Sequence, residues 1–116
     1  MSALAVKRIY EPASDGDGQR VLVDRLWPRG VKKEDARLDL WLKDIAPSDD
    51  LRHWFGHDPE RWTEFQKRYR TELEGKGDAL AELRALMAKG KVTLLFAAHD
   101  EEHNNAVALA AYIEKS

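Results

Sequence analysis

The stretch Arg20-Val-Leu-Val-Asp-Arg-Leu-Trp-Pro-Arg-Gly30 decides how this chain folds. Its aliphatic run Val21–Val23 is typical of a strand that is covered on both faces. Pro28 has no amide hydrogen for a strand ladder and Gly30 favours a turn, so the strand ends before them. Ligands of α/β proteins usually bind beyond the carboxyl ends of strands. We therefore predict a site around the charged residues at this strand end, Asp24, Arg25 and Arg29.

The composition indicates one folded domain. The 116 residues, 43% hydrophobic and 34% charged, can bury a core of their own and do not resemble a disordered chain. A formal net charge of −2 argues against bulk nucleic-acid binding. Cysteine is absent, which excludes disulfides, thiolate metal sites and cysteine nucleophiles.

Neither a membrane span nor a signal peptide is expected. No apolar run approaches the roughly 20 residues that a spanning helix needs. Met1–Val6 is too short for a signal peptide and lacks its charged start and cleavage region. The expected protein is cytoplasmic and of bacterial type, without a membrane partner.

The remaining elements are predicted from periodicity and capping residues. Val6–Tyr10 and Val92–Ala97 are expected as strands, and Val31–Arg37 as a helical turn. The stretch Leu38–Ala46 fits both a strand and a helix pattern, and we favour a short helix or an irregular extended segment. Four longer helices are predicted behind the capping residues Ser48, Asp58, Asp78 and Asp100.

These elements predict an α/β fold. We expect a single compact domain over 1–116, with a small mixed or mostly parallel sheet flanked by four to five helices. The connection Glu11–Gln19 holds turn residues and is too short for a crossover helix. The first two strands therefore either pair antiparallel or lie apart in the sheet.

The second long strand also ends in polar residues. If the strands Val21–Val23 and Val92–Phe96 run parallel, Arg25 and Arg29 face the start of the last helix, and guanidinium and helix N–H groups together suit phosphate or carboxylate. The predicted partner is therefore a small anionic ligand, such as a nucleotide or a nucleic-acid end, and an enzyme that uses Asp24 or Asp100 as a base is an extension of this hypothesis. The equal alternative is a structural ion pair between Asp24 and Arg25. Strand alternation further predicts that only one of these two side chains faces the pocket.

The sequence also suggests two other kinds of function. The spacing of His99 with His103, and of His53 with His57, suits metal ligands, but the predicted cap at Asp100 leaves His99 outside the helix. We therefore assign no metal site, and the sequence identifies no cofactor. The alternative to ligand binding is a protein-interaction module, which presents tryptophans and arginines on its surface. Trp27 and Trp54 are the candidate residues.

Four runs of this sequence resemble the DUF488 family, in particular its short, YeaO-like members. They lie in Asp17–Gly30, Ala46–Phe55, Phe65–Leu73 and Val92–Asn104. The resemblance implies an α/β domain and no established activity. It also implies that the family's recurring polar positions are the ligand-binding candidates here: Asp24, Arg25, Arg29, Lys43, Ser48, Arg68, Tyr69 and Asn104.

Overall fold

Four parallel strands form one sheet within residues 4–115, the residues that a computed structural model describes. The first three residues of Met1–Val6, where no signal peptide is expected, lie outside this range. The strands are β1 (Leu4–Arg8), β2 (Gln19–Leu22), β3 (Leu40–Trp41) and β4 (Val92–Phe96), and they lie in the order β1-β4-β2-β3. The prediction of a small, mostly parallel sheet in a single α/β domain is confirmed.

Strand β4 lies between the first two strands. Leu94 pairs with Val6 of β1 on one side and with Val21 of β2 on the other. The first two strands therefore lie apart, as one of the two alternatives predicted. β1 begins and ends two residues earlier than the predicted Val6–Tyr10, because β4 starts at Val92 opposite Leu4 and ends at Phe96 opposite Arg8.

The helices cover both faces of the sheet unequally. The longer ones pack their apolar faces into one large core cluster, whereas α1 covers a smaller cluster on the other face. Val21 and Val23 belong to the large cluster and Leu22 to the small one, which explains the unbroken aliphatic run. The helices are α1 (Lys33–Ala36), α2 (Asp49–Phe55), α3 (Trp62–Glu74), α4 (Gly77–Lys89) and α5 (Asn105–Lys115).

The prediction for α2 and the predicted buried face of α3 are confirmed, but Asp58 caps the 3-10 turn before α3 and not α3 itself. Ser48 Oγ accepts a hydrogen bond from the Leu51 amide at 3.1 Å and so caps α2. Phe65 and Tyr69 lie on the buried face of α3, which follows a short 3-10 turn at Pro59–Arg61. No helix in the range 4–115 is long and apolar enough to cross a membrane.

Leu38–Ala46, which fits both patterns in the sequence, is an irregular extended segment: it forms β3 and then a 3-10 turn at Lys43–Ile45, because β2 offers its open edge to Leu40 and Trp41. The predicted caps of the last two helices are wrong. Helix α4 begins at Gly77, so Asp78 lies in its first turn instead of capping it.

The last helix also begins later than predicted. Asn104 Oδ1, and not Asp100, accepts the amide of Val107 at 2.9 Å at the start of α5. Asp100 instead accepts the amides of Glu102 and His103 in the turn before the helix.

Candidate functional site

The candidate site is a cavity at the carboxyl ends of β2 and β4. These two strands are parallel neighbours, so their polar ends meet at one edge of the sheet as predicted. The cavity has a volume of about 680 Å³, within the range of small-molecule sites. Its lining includes most of the predicted site residues: Asp24, Arg25, Arg29, Asp100 and Asn104.

Asp24 joins three elements at the floor of this cavity. Its Oδ2 accepts the Ala97 amide at 3.0 Å, and its Oδ1 accepts Nδ2 of Asn105 at 3.0 Å. Asn105 Nδ2 also donates to the Val23 carbonyl at 2.9 Å. Burial raises the pKa of Asp24 above its ordinary value, although the hydrogen bonds from Asn105 and Ala97 act in the opposite direction. The carboxylate therefore holds the ends of β2, β4 and α5 together.

Arg25 turns away from Asp24. Its Nε lies 3.4 Å from the Pro47 carbonyl and 3.9 Å from Asp49 Oδ1. The bonds of Asp24 and Arg25 thus go to different partners, and the described ion pairs include none between these two residues. The structural ion pair is therefore not formed.

Both residues nevertheless line the cavity, although strand alternation predicts that only one of the two side chains faces it. The reason is local geometry. The chain leaves the extended conformation after Val23 and bends at Arg25 and Leu26, so strand alternation no longer applies.

Two further arginines line the cavity. Arg29 follows the bend and is exposed, and its carbonyl accepts the Tyr10 hydroxyl at 2.8 Å. Arg52 comes from the last turn of α2 and pairs with Asp49 at 3.3 Å. Sequence reasoning missed Arg52, Tyr10, His57 and Asn105 as cavity residues. For Arg52 the signal was available, because the run Ala46–Phe55 carried part of the family resemblance.

Asp100 and His103 form a hydrogen-bonded pair at the rim. Asp100 Oδ2 lies 2.8 Å from His103 Nδ1, and the imidazole packs edge-on against Trp62 at 5.4 Å between centroids. The backbone hydrogen bond from Glu102, and then the bond from the His103 side chain, hold the pKa of Asp100 below its usual value. Asp100 therefore stays ionised, and the imidazole has a fixed orientation.

The other predicted ligand-binding residues do not line this cavity. Lys43 lies over the Trp41 ring at 4.6 Å, and Ser48 Oγ donates to Glu72 Oε2 at 2.6 Å. Arg68 pairs with Glu64 at 3.0 Å on the exposed side of α3. Tyr69 is fully buried, and its hydroxyl donates to the Ile45 carbonyl at 2.6 Å. Tyr69 thus has a structural partner.

The metal and interaction alternatives find little geometric support. His99 Nδ1 lies 3.2 Å from Arg8 Nη2, and across residues 4–115 no three histidine or acidic side chains are grouped as metal ligands. Trp27 packs on the small core cluster, whereas Trp54 packs on the large one. Both tryptophans are half-buried, so they do not form one open patch.

Comparison with known proteins identifies the family. A family model described as the inactive DUF488-N3 subclade matches residues 3–116. The chain belongs to the DUF488 family. An uncharacterised protein of Mycobacterium tuberculosis is 49% identical over 105 residues, covering 90% of this chain and 88% of that protein. The uncharacterised protein YeaO of Escherichia coli is 43% identical over 110 residues, covering 92% and 93% of the two chains. No solved structure matches the chain at a significant level.

Proposed function

We propose that this DUF488 protein is a cytoplasmic protein that binds a small phosphate-like anion in the cavity at the strand ends, without transforming it. The observation that carries the proposal is that three arginines, Arg25, Arg29 and Arg52, line one cavity. Guanidinium forks match phosphate and carboxylate oxygens in geometry as well as charge.

The acidic residues of the cavity neutralise little of the positive charge of these arginines. Asp24 directs its oxygens to Ala97 and Asn105, and Asp100 directs its oxygens to its own turn and to His103. Asp49 Oδ1 is 3.9 Å from Arg25 and 3.3 Å from Arg52, but its side chain is 62% exposed. An exposed acid of this kind compensates little in water. An anion entering the cavity would therefore meet an excess of donors.

Three observations favour binding over catalysis. The side chains that line the cavity include no serine, threonine, cysteine or lysine that could act as a nucleophile. Both oxygens of Asp24 already accept hydrogen bonds, which leaves this candidate base poorly placed to take a proton. The matching family model is described as inactive.

Calorimetric titration with inorganic phosphate tests the proposal. We expect saturable binding by the unaltered protein and at least tenfold weaker binding by Arg25→Met, a loss of about 1.4 kcal/mol. The matched control is Arg68→Met, since Arg68 is also a half-exposed, ion-paired arginine but lies outside the cavity. Both variants should retain stability within about 1 kcal/mol. Equal affinity in all three proteins, or no heat of binding in any, would refute the proposal.

A second candidate function rests on the pair of Asp100 and His103. An imidazole oriented by a carboxylate is the arrangement of a general base. In a hydrolysis, His103 would take the proton of an attacking water and the leaving group would take a proton from solvent. The test is release of inorganic phosphate from phenyl phosphate. Release that disappears in His103→Gln but persists in Arg68→Met would establish this candidate and overturn the non-catalytic proposal.

A further inference from the structure

Two exposed apolar residues line the same cavity as the arginines. Leu26 is 60% exposed and Tyr10 is 44% exposed, and these are the large hydrophobic residues that residues 4–115 leave exposed. Both line the same cavity. Because surface apolar groups that adjoin a pocket often mark what the pocket binds, the ligand should have an apolar part as well as a charge.

Tyr10 is held in place for such a contact. Its hydroxyl donates to the Arg29 carbonyl at 2.8 Å, and the Arg8 guanidinium lies 4.6 Å from its ring centroid. One face of the ring is thus covered by Arg8 while the residue remains exposed at the cavity. The fixed ring ties the apolar side of the cavity to Arg29, one of its cationic residues.

The size of the cavity also exceeds what a bare anion requires. Its volume of about 680 Å³ lies in the middle of the range for drug-sized ligands. Inorganic phosphate bound to the arginines would leave the apolar walls in contact with water. A ligand that covers Leu26 and Tyr10 gains the free energy of removing that surface from water.

Resting on the function proposed above, we propose that the ligand is a phosphate monoester whose alcohol carries an aromatic or aliphatic group. The phosphate would contact Arg25, Arg29 and Arg52, and the apolar group would cover Leu26 and Tyr10. A phosphate monoester offers three terminal oxygens to the three arginines that line the cavity. A carboxylate offers two oxygens and a single charge, so it can satisfy fewer of these donors.

Calorimetric titration with four probes tests both halves of this inference. The probes are phenyl phosphate, methyl phosphate, inorganic phosphate and benzoate. We expect phenyl phosphate to bind at least about tenfold more tightly than methyl phosphate, since burying a ring contributes about 1.5 kcal/mol or more. It should also bind more tightly than benzoate, which carries the same ring on a carboxylate.

Substitution of Leu26 measures the contribution of the apolar contact to binding separately from that of the charge. Leu26→Ser should weaken phenyl phosphate binding and leave methyl phosphate binding unchanged, whereas Arg25→Met should weaken both. Leu26 is exposed, so folding should not change in this variant, and thermal unfolding checks it. Equal affinity for phenyl and methyl phosphate would overturn the inference while the proposed anion site stands. Benzoate binding as tightly as phenyl phosphate would overturn the choice of phosphate, and no binding of any probe would overturn both proposals.

Discussion

The two ends of β2 carry the same residue types and use them differently. At its start, the buried Asp17 accepts from Lys7 Nζ at 3.1 Å, from Arg20 Nη1 at 2.5 Å and from the Ser14 amide at 3.0 Å. Arg20 directs its remaining donors to the Ala36 carbonyl, at 3.0 and 2.9 Å. Each charge there has a protein partner, so this network is explained by the fold alone.

At the end of β2 the acid and the arginines are not paired with each other. Asp24 joins backbone ends, while Arg25 and Arg29 border open space. A charged group beside a strand is therefore weak evidence of function by itself. What distinguishes the two ends is the strength of the contacts: Arg20 is buried against a carboxylate, whereas Arg25 has only long contacts with protein oxygens and lines a cavity.

The largest predicted effect is the removal of the acid from the paired end. Asp17→Ala leaves the buried Arg20 without its carboxylate, and we expect a loss of about 3–5 kcal/mol in the free energy of unfolding. Urea denaturation measures this loss. If Asp17→Ala lowered the free energy of unfolding as little as Arg25→Met does, the charged residues at the two ends of β2 would contribute equally to stability.

Low pH should destabilise the unaltered protein through Asp17. Burial opposes the ionisation of Asp17, but the hydrogen bonds from Ser14, Lys7 and Arg20 together hold its pKa below the ordinary value. Its stabilising contribution is thus complete above the unfolded value of about 3.9 and is lost as the pH falls through the lowered pKa. Unfolding curves recorded down through this window should show a loss of stability that Asp17→Ala does not show.

Two glycines offer a matched test of packing at the two ends. Gly18 and Gly30 both have positive φ, at 66° and 78°. A Cβ on Gly18 would collide with the Lys91 backbone, whereas a Cβ on Gly30 would meet no atom within 4 Å. We expect Gly30→Ala to cost about 1–2 kcal/mol from backbone strain and Gly18→Ala about 1–3 kcal/mol more from the collision. Equal melting temperatures for the two variants would contradict this difference.

The last predicted effect on stability concerns Asp24. Asp24→Asn replaces one of two acceptor oxygens by an NH2 group that meets a donor, either Ala97 N–H or Asn105 Nδ2, and should cost about 1–3 kcal/mol.

This cost should depend on pH. Burial raises the pKa of Asp24, so the folded state binds more protons than the unfolded state between about 3.9 and the raised pKa. As the pH rises through this window, the unaltered protein loses the stabilising contribution of Asp24. The Asp24→Asn variant shows no such loss. Unfolding measured at pH ~4 and ~7 should show a larger cost at the lower pH. If the cost of Asp24→Asn in the free energy of unfolding grew with pH instead, the folded state would favour the ionised form of Asp24.

The sequence predicted those features that depend on local patterns. The buried runs Val21–Val23 and Val92–Phe96, the Ser48 cap and the apolar face of α3 follow from periodicity and capping chemistry. Leu38–Ala46 could not be settled in this way, because its strand forms only against the open edge of β2. The start of α5 was misplaced because Asp100 and Asn104 are both good caps, and the turn between them decides which one begins the helix.

The sequence by itself thus determined the α/β class, the buried strands and the position of a polar site at the end of β2. Only the tertiary structure decided which residues meet there. Arg52 and Tyr10 reach the cavity from distant parts of the chain, whereas Lys43 and Arg68 lie elsewhere. The physical reason is that strand and helix patterns reflect neighbours along the chain, while the partners of a charged side chain depend on how separate elements pack.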